Sequence, residues 1–371
     1  MEPSGILLVA TPGLEAALAQ EAVERGFAGV AITRGGVTIA GGWPEVWRAN
    51  LTLRGANRVL AQVGEFRALH LAQLDRRARR FPWAEVLRAD VAVRVEATCH
   101  RSRIYHAGAA AQRVARAIGE EFGAPVVTEG DSLVVRVRID DDLVTISLDT
   151  SGDGLHRRGF KTEVAKAPLP ETLAALFLRQ CGFDGHESVV DPMCGSGTFV
   201  IEAAEMAAGL APGRARGFAF EHLAGFDAAL WEAMRRAHEV APPVDPARFH
   251  GSDRNAGAVA MARRNAERAG VQACCDFRCH AISDLTPPEG PPGLVITNPP
   301  WGARIGERKA LFALYDAFGR VLQERFAGWR VGIVTQDGGL ARASGLDFLP
   351  DLPPVSHGGQ KLRLWRTGPL G

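Results

Sequence analysis

The chain has 371 residues, 46% hydrophobic and 23% charged, which is enough for two or three domains with sizeable cores and is not the composition of a disordered protein. Its formal net charge of +1 gives no bulk attraction to nucleic acid. The start, "MEPSGILLVATPGLEAALAQEAVERGF", lacks a basic leader and a sustained apolar core, and no window reaches the roughly 18 apolar residues of a membrane span, so a cytoplasmic protein without membrane contact is expected.

Residues 5–40 read as strand, helix, strand. "GILLVAT" is an apolar run, and "GLEAALAQEAVERGF" spaces Leu14, Ala17, Leu18, Glu21 and Ala22 for an amphipathic helix that stops at Gly26. "GVTIAG" is a short strand. "WPEVWRANLTLRGANRVLAQVGEF" reads as helical and then extended, and leads into a basic stretch. Between Arg67 and Arg116 there are eleven arginines against four acids, a local excess of seven positive charges. The whole chain has only four lysines, so arginine is its default cation, yet the clustering favours an RNA-facing surface. Next come a strand (90–97), a helix (108–123) and two strands (132–140 and 143–152) separated like a hairpin by Asp141 and Asp142.

At "GDGLHRRGFKTEVAKAPLPETLAALFLRQCGF" the character changes to a basic connector and a helix. Beyond it strands and helices alternate, from "SVVDPMCGSGTFVIEAAEMAAG" to "QKLRLWRTG", which implies a parallel sheet covered on both faces. Ligands of such sheets bind at the carboxyl ends of the strands. Cys274, Cys275, Cys279 and His280 lack the paired spacing of a zinc site, and neither a metal nor a disulfide is expected.

Four strand ends carry chemistry. Asp191 closes an apolar strand, Gly195 and Gly197 permit a tight turn, and Thr198 opens a helix whose amides suit an anionic group. Asp253 stands after the next strand, where a carboxylate accepts from ribose hydroxyls or caps a helix. Asp284 follows another, either as acceptor for an adenine amine or as a turn cap. In "TNPPWG" a short strand delivers Asn298; Pro299 and Pro300 fix the backbone and remove its donors, and Trp301 sets an aromatic face beside the remaining acceptors. A planar base with an amino group fits that arrangement.

The series Asp191-Pro-Met-Cys-Gly-Ser-Gly-Thr198, Asp253, Asp284 and Asn298-Pro-Pro-Trp301 resembles class I S-adenosylmethionine-dependent methyltransferases that modify exocyclic amines. With "DTSGDGLHRRGF", "APLPETLAAL" and the N-terminal half, the chain is similar to the THUMP-domain RNA guanine-N2 methyltransferases of 23S rRNA and tRNA. The resemblance implies an α/β protein: a ferredoxin-like α+β region (1–60), a THUMP-like RNA-binding domain (61–155) and a Rossmann-like seven-stranded methyltransferase domain (156–371). It implies S-adenosylmethionine held by Pro168, Glu171, Thr172, Asp191, Cys194, Gly195, Ser196, Gly197, Thr198, Asp253, Arg254, Asp284 and Asn298. Catalysis would fall to Asn298, Pro299, Pro300 and Trp301, the last standing where that family commonly has Tyr or Phe. RNA would meet Arg76, Arg77, Arg79, Arg80, Arg101, Arg103, Arg157, Arg158, Lys161 and Arg304 on a monomer, with no metal. Ribosomal RNA is favoured over tRNA. A DNA adenine-N6 methyltransferase, a protein-glutamine methyltransferase and an inactive RNA-binding factor remain as alternatives.

Overall fold

The computed structural model describes residues 1–163, 169–238, 248–301 and 308–371. Up to residue 149 the elements are β1 (Gly5–Val9), α1 (Glu15–Glu24), β2 (Ala31–Thr33), β3 (Gly36–Ile39), α2 (Trp43–Thr52), β4 (Arg58–Arg67), α3 (Leu71–Arg79), β5 (Val93–His100), α4 (Ala107–Ala117), β6 (Leu133–Asp140) and β7 (Leu143–Asp149). After them come α5 (Glu171–Gln180), β8 (Val189–Asp191), α6 (Thr198–Ala207), α7 (Ala228–Ala237), β9 (Phe249–Asp253), α8 (Ala256–Ala269), β10 (Cys275–Cys279), β11 (Leu294–Thr297), α9 (Arg308–Arg325), β12 (Arg330–Thr335), α10 (Gly338–Ala343), β13 (Val355–His357) and β14 (Gln360–Arg366). Two compact units form: Met1–Ala10 with Ala19–Leu155 and Arg216–Ala237, and Thr11–Leu18 with His156–Ala215 and His238–Gly371.

The first unit holds a sheet in the order β2-β3-β1-β4-β7-β6-β5, antiparallel except where β5 pairs with β6. Period-two patterning builds it: in β1, Ile6 and Leu8 are buried and their neighbours half-buried. The hairpin at Asp141 and Asp142 closes as a two-residue loop with φ of 51° and 62°, the left-handed pair that a primed turn needs and aspartate tolerates. The helix expected over 108–123 stays regular only to Ala117, passes into one wide turn over Ile118–Phe122, and is stopped by Gly123 at φ 82°. The arginine-rich stretch contains α3, whose last turn gathers Arg76, Arg77 and Arg79 where cations complement the carbonyl end of a helix. Residues 216–237 join this unit although they follow the change in sequence character at 152. The cause is aromatic: Trp231 of α7 meets Phe218 and Phe220 edge-on, and Phe220 stacks on Trp47 at 5.8 Å.

In the second unit the sheet order is β10-β9-β8-β11-β12-β14-β13. β10, β9, β8, β11 and β12 run parallel, and β14 is antiparallel to both β12 and β13. Adjacent residues of one strand feed opposite cores. Val189, Leu294 and Ile296 pack with α5, α6 and α8, whereas Val190 and Val295 pack with α9 and α10. From β8 the chain builds outward through β9 and β10, then returns to the other side of β8 as β11. That reversal opens a crevice at the carboxyl ends of β8 and β11. Among the described residues no helix is long and apolar enough to cross a membrane.

Candidate active site

Asp191, the last residue of β8, is 3% exposed, and its Oδ1 accepts from the Met193 amide at 3.1 Å. Burial pushes its carboxyl up to about 7; the Asp253 charge adds to that, while the nearby Thr297 hydroxyl and the Met193 amide pull the other way. The chain then turns through Gly195 (φ 53°) and Gly197 (φ 88°) into α6. A Cβ on Gly197 would lie 3.1 Å from both Ala262 and Ile201, in a backbone conformation that side chains rarely adopt, so α6 packs on α8 only with glycine there. Two hydrogen bonds pin the turn to β9: the Cys194 amide donates to the Ser252 carbonyl at 2.9 Å, and the Gly195 amide to Asp253 Oδ2 at 3.1 Å. The Cys194 thiol is buried and pushed well up by that burial, so it is an inert packing group there.

Asp253 ends β9, but it does not cap α8. Asn255 does, its Oδ1 accepting from the Gly257 amide at 2.9 Å and the Ala258 amide at 3.4 Å. Asp253 is therefore free of the capping role and stands half-buried in the wall of the crevice. Asp284 is placed differently from its expectation. It sits exposed at the end of a short turn (Ile282–Asp284), takes the Ser283 hydroxyl at 3.3 Å, and lies outside the wall, which His280, Ala281, Ile282 and Ser283 form after β10.

β11 delivers Asn298, Pro299, Pro300 and Trp301 to the same crevice, a space of about 1290 Å³ that Asp191, Asp253 and Arg254 also line. The Trp301 indole N–H donates to Asn298 Oδ1 at 3.0 Å. The motif alone suggested a ring face; the structure adds the ring edge. A carboxamide oxygen has two lone pairs, so one is left for a ligand donor, and a flipped amide would set its N–H₂ against the indole N–H. Leu311 and Leu314 of α9 complete the far wall. Their three-residue spacing was visible in the sequence but is also that of an ordinary core stripe.

At the start of α5, Glu171 and Thr172 are buried. The Lys161 ammonium lies 2.8 Å from Glu171 Oε1 and donates to Thr198 Oγ1 at 2.7 Å, so Glu171 reaches the site through Lys161 rather than by lining the crevice. Pro168 lies outside the described residues.

The RMKL-like methyltransferase domain model matches residues 158–347, over half of the chain. The chain belongs to the RMKL-like methyltransferase family. The RlmL ferredoxin-like domain matches residues 6–60 and the THUMP domain residues 70–149. The "Ribosomal RNA large subunit methyltransferase K/L" of Syntrophotalea carbinolica is 37% identical over 362 residues, 93% of this chain and 51% of that protein. The chain spans about half the length of the curated relatives it matches. A Listeria monocytogenes structure, described as a predicted N6-adenine-specific DNA methylase, is 29% identical with TM-score 0.89, covering 100% of this chain and 97% of the other. A solved structure complexed with SAH is 25% identical with TM-score 0.85, covering 100% and 99%. The seven-stranded sheet of this RMKL-like chain is accordingly the class I methyltransferase fold.

The cations expected to meet RNA fall into three groups among the described residues. Arg76, Arg77, Arg80, Arg101, Arg103 and Arg157 are exposed. Arg79 is held by Asp75, Glu120 and Glu121 at 3.0, 2.6 and 2.5 Å, and those hydrogen bonds push its guanidinium above the usual range. Arg158 is buried and the Lys161 side chain is only 6% exposed, which corrects their reading as surface cations. Arg158 Nη2 is 3.1 Å from Glu202 of α6, each about 1% exposed, and one turn on Glu205 pairs with Arg214. Arg304 lies outside the described residues. Tyr105, two residues after Arg103, is 85% exposed, an aromatic that the count of charges does not register.

Proposed function

We propose that the chain is an S-adenosylmethionine-dependent RNA methyltransferase acting on the exocyclic N2 of a guanosine in large-subunit (23S) ribosomal RNA. The observation that carries this reading is the Asn298–Trp301 pair at the end of β11, a fixed acceptor joined to an aromatic ring one strand from Asp191. The crevice exceeds the roughly 300–1,000 Å³ of a single-ligand pocket, which suits a nucleoside cofactor and an extruded base together. Asp191 suits the cationic amino group of a methionine moiety, Asp253 suits ribose hydroxyls, and the glycine turn admits close approach of either.

S-adenosylmethionine, when bound, supplies an electrophilic methyl group on a sulfonium sulfur. The chain's own residues prepare the amine. Guanine N2 is a poor nucleophile because its lone pair is delocalised into the ring. The free lone pair of Asn298 Oδ1 and the Pro299 carbonyl accept its hydrogens, which raises density on nitrogen and aims it. Trp301 stacks on the base, a contact worth about 1–3 kcal/mol. The proton leaves to solvent after the N–C bond has formed, so no strong base is required.

The name of the 37% identical relative supports ribosomal RNA, and the THUMP match supports RNA over DNA. The description of the Listeria structure supports a second reading, adenine N6 of DNA. Mass spectrometry of nucleosides from a deletion strain separates them: loss of N2-methylguanosine from 23S rRNA is expected. Loss from tRNA alone, or loss of N6-methyladenosine from DNA, would replace this reading.

Asp191 adds a pH signature. Its carboxyl is raised to about 7 in the folded chain, and a cationic ligand binds its ionised form, so affinity for S-adenosylhomocysteine should fall about tenfold from pH 8 to pH 6 by calorimetry. Between roughly pH 4 and 7 the folded chain keeps a proton that the unfolded chain has lost, so this group's stabilising contribution declines as pH rises through that window. Asp191→Asn should flatten the binding profile and raise the melting temperature at pH 8. A variant that melts lower and keeps the wild-type profile would refute both.

A further inference from the structure

The Lys161, Glu171 and Thr198 cluster is more specific than a buried ion pair. An ammonium carries three donors, and Lys161 uses one toward Glu171 Oε1 and another toward Thr198 Oγ1. With side chains 6% and 10% exposed, Lys161 and Glu171 are screened little by solvent. Thr198 is the first residue of α6 and lines the crevice. Because its oxygen accepts from an ammonium, its single proton is committed to another acceptor, and the cation polarises that O–H. Thr198 also sits where the amides of α6 begin, the positive end of a helix. Asp253 lines the same crevice, its carboxylate accepting from the Gly195 amide at 3.1 Å and the Asn255 amide at 2.9 Å.

We propose that Lys161 is a positioning residue that turns the Thr198 hydroxyl into a charge-assisted donor for the carboxylate of the bound cofactor, so that the site selects adenosyl thioethers by that carboxylate. This rests on the reading that the crevice holds S-adenosylmethionine. It removes Lys161 from the RNA surface and gives it a task that a purely structural lysine would not have.

Two probes separate those roles: S-adenosylhomocysteine, and its decarboxylated analogue S-adenosyl-3-thiopropylamine, which keeps the amine. Calorimetry on the wild-type chain should show preference for the carboxylate-bearing probe. Lys161→Met should weaken that probe about tenfold or more and the decarboxylated one less than about threefold. Lys161→Arg, which keeps the charge, should recover part of the preference. If Lys161→Met fails to fold, Thr198→Val keeps the volume and should give the same differential loss. Equal losses for both probes, or no loss for S-adenosylhomocysteine, would overturn the assignment of Lys161. Failure of the wild-type chain to bind either probe would instead overturn the cofactor reading, and this assignment with it.

Discussion

Asn298→Ala is expected to lower the rate of methyl transfer about 10²- to 10³-fold while leaving affinity for S-adenosylhomocysteine within about threefold. The magnitude is that of removing one preorganised hydrogen-bonding partner from a reacting centre. The separation follows from position. Asn298 follows β11, on the side of the crevice shared with Trp301, whereas the β8–α6 turn is built by Asp191, Gly195 and Thr198. Alanine also strands the Trp301 indole N–H, which would cost about 1–3 kcal/mol if no water replaces the oxygen. Single-turnover transfer of a labelled methyl group to 23S rRNA measures the first effect and calorimetry the second. Full turnover by the variant would remove Asn298 from the chemistry, and a parallel collapse of cofactor affinity would make it a structural residue.

Arg158→Met is expected to destabilise the fold by about 3–5 kcal/mol, because it takes away the guanidinium that faces the buried Glu202 carboxylate. The double replacement Arg158→Met with Glu202→Met should recover most of the loss, since no charge then remains of this pair and the new side chains are apolar and of similar length. Midpoints of denaturant unfolding report both. Had Arg158 been a surface cation for RNA, the single variant would unfold at the wild-type midpoint and bind RNA less tightly. That result would restore the sequence expectation.

The meeting of strand ends was legible because their residue types are unusual there: an aspartate closing an apolar strand, a glycine turn before a helix and two prolines behind an asparagine all line one crevice. Side-chain direction was not legible. Arg157 and Arg158 are neighbours in sequence and look equivalent on a chain whose default cation is arginine, yet one is exposed and the other buried against α6. Asp253 and Asn255 compete for one cap, and only backbone geometry decides that Asn255 takes it. Asp284 missed the crevice because the chain enters a tight turn at Ile282 and carries the carboxylate past the wall. The indole edge of Trp301 was invisible for a similar reason: composition supplies a ring, and torsions choose whether its face or its N–H meets the asparagine. The place of residues 216–237 depends on Trp47, more than 150 residues earlier, through contacts that no local pattern reports.

The two carboxylates of α6 have a consequence for how the crevice can adapt. Glu202 and Glu205 stand three residues apart, each keyed to an arginine from outside the helix. Sliding α6 by one residue or rolling it by one position would break both pairs at once, so the helix has a single registered seat, in the way that a lone buried polar residue fixes the alignment of packed helices. Thr198, at the other end of that rod, is indexed to the core and not to the ligand. On the proposed reading that the crevice receives a base, its accommodation falls to the opposite wall, and new substrate preferences in this scaffold should arise by changing Leu311, Leu314 and Trp301 before any residue of α6.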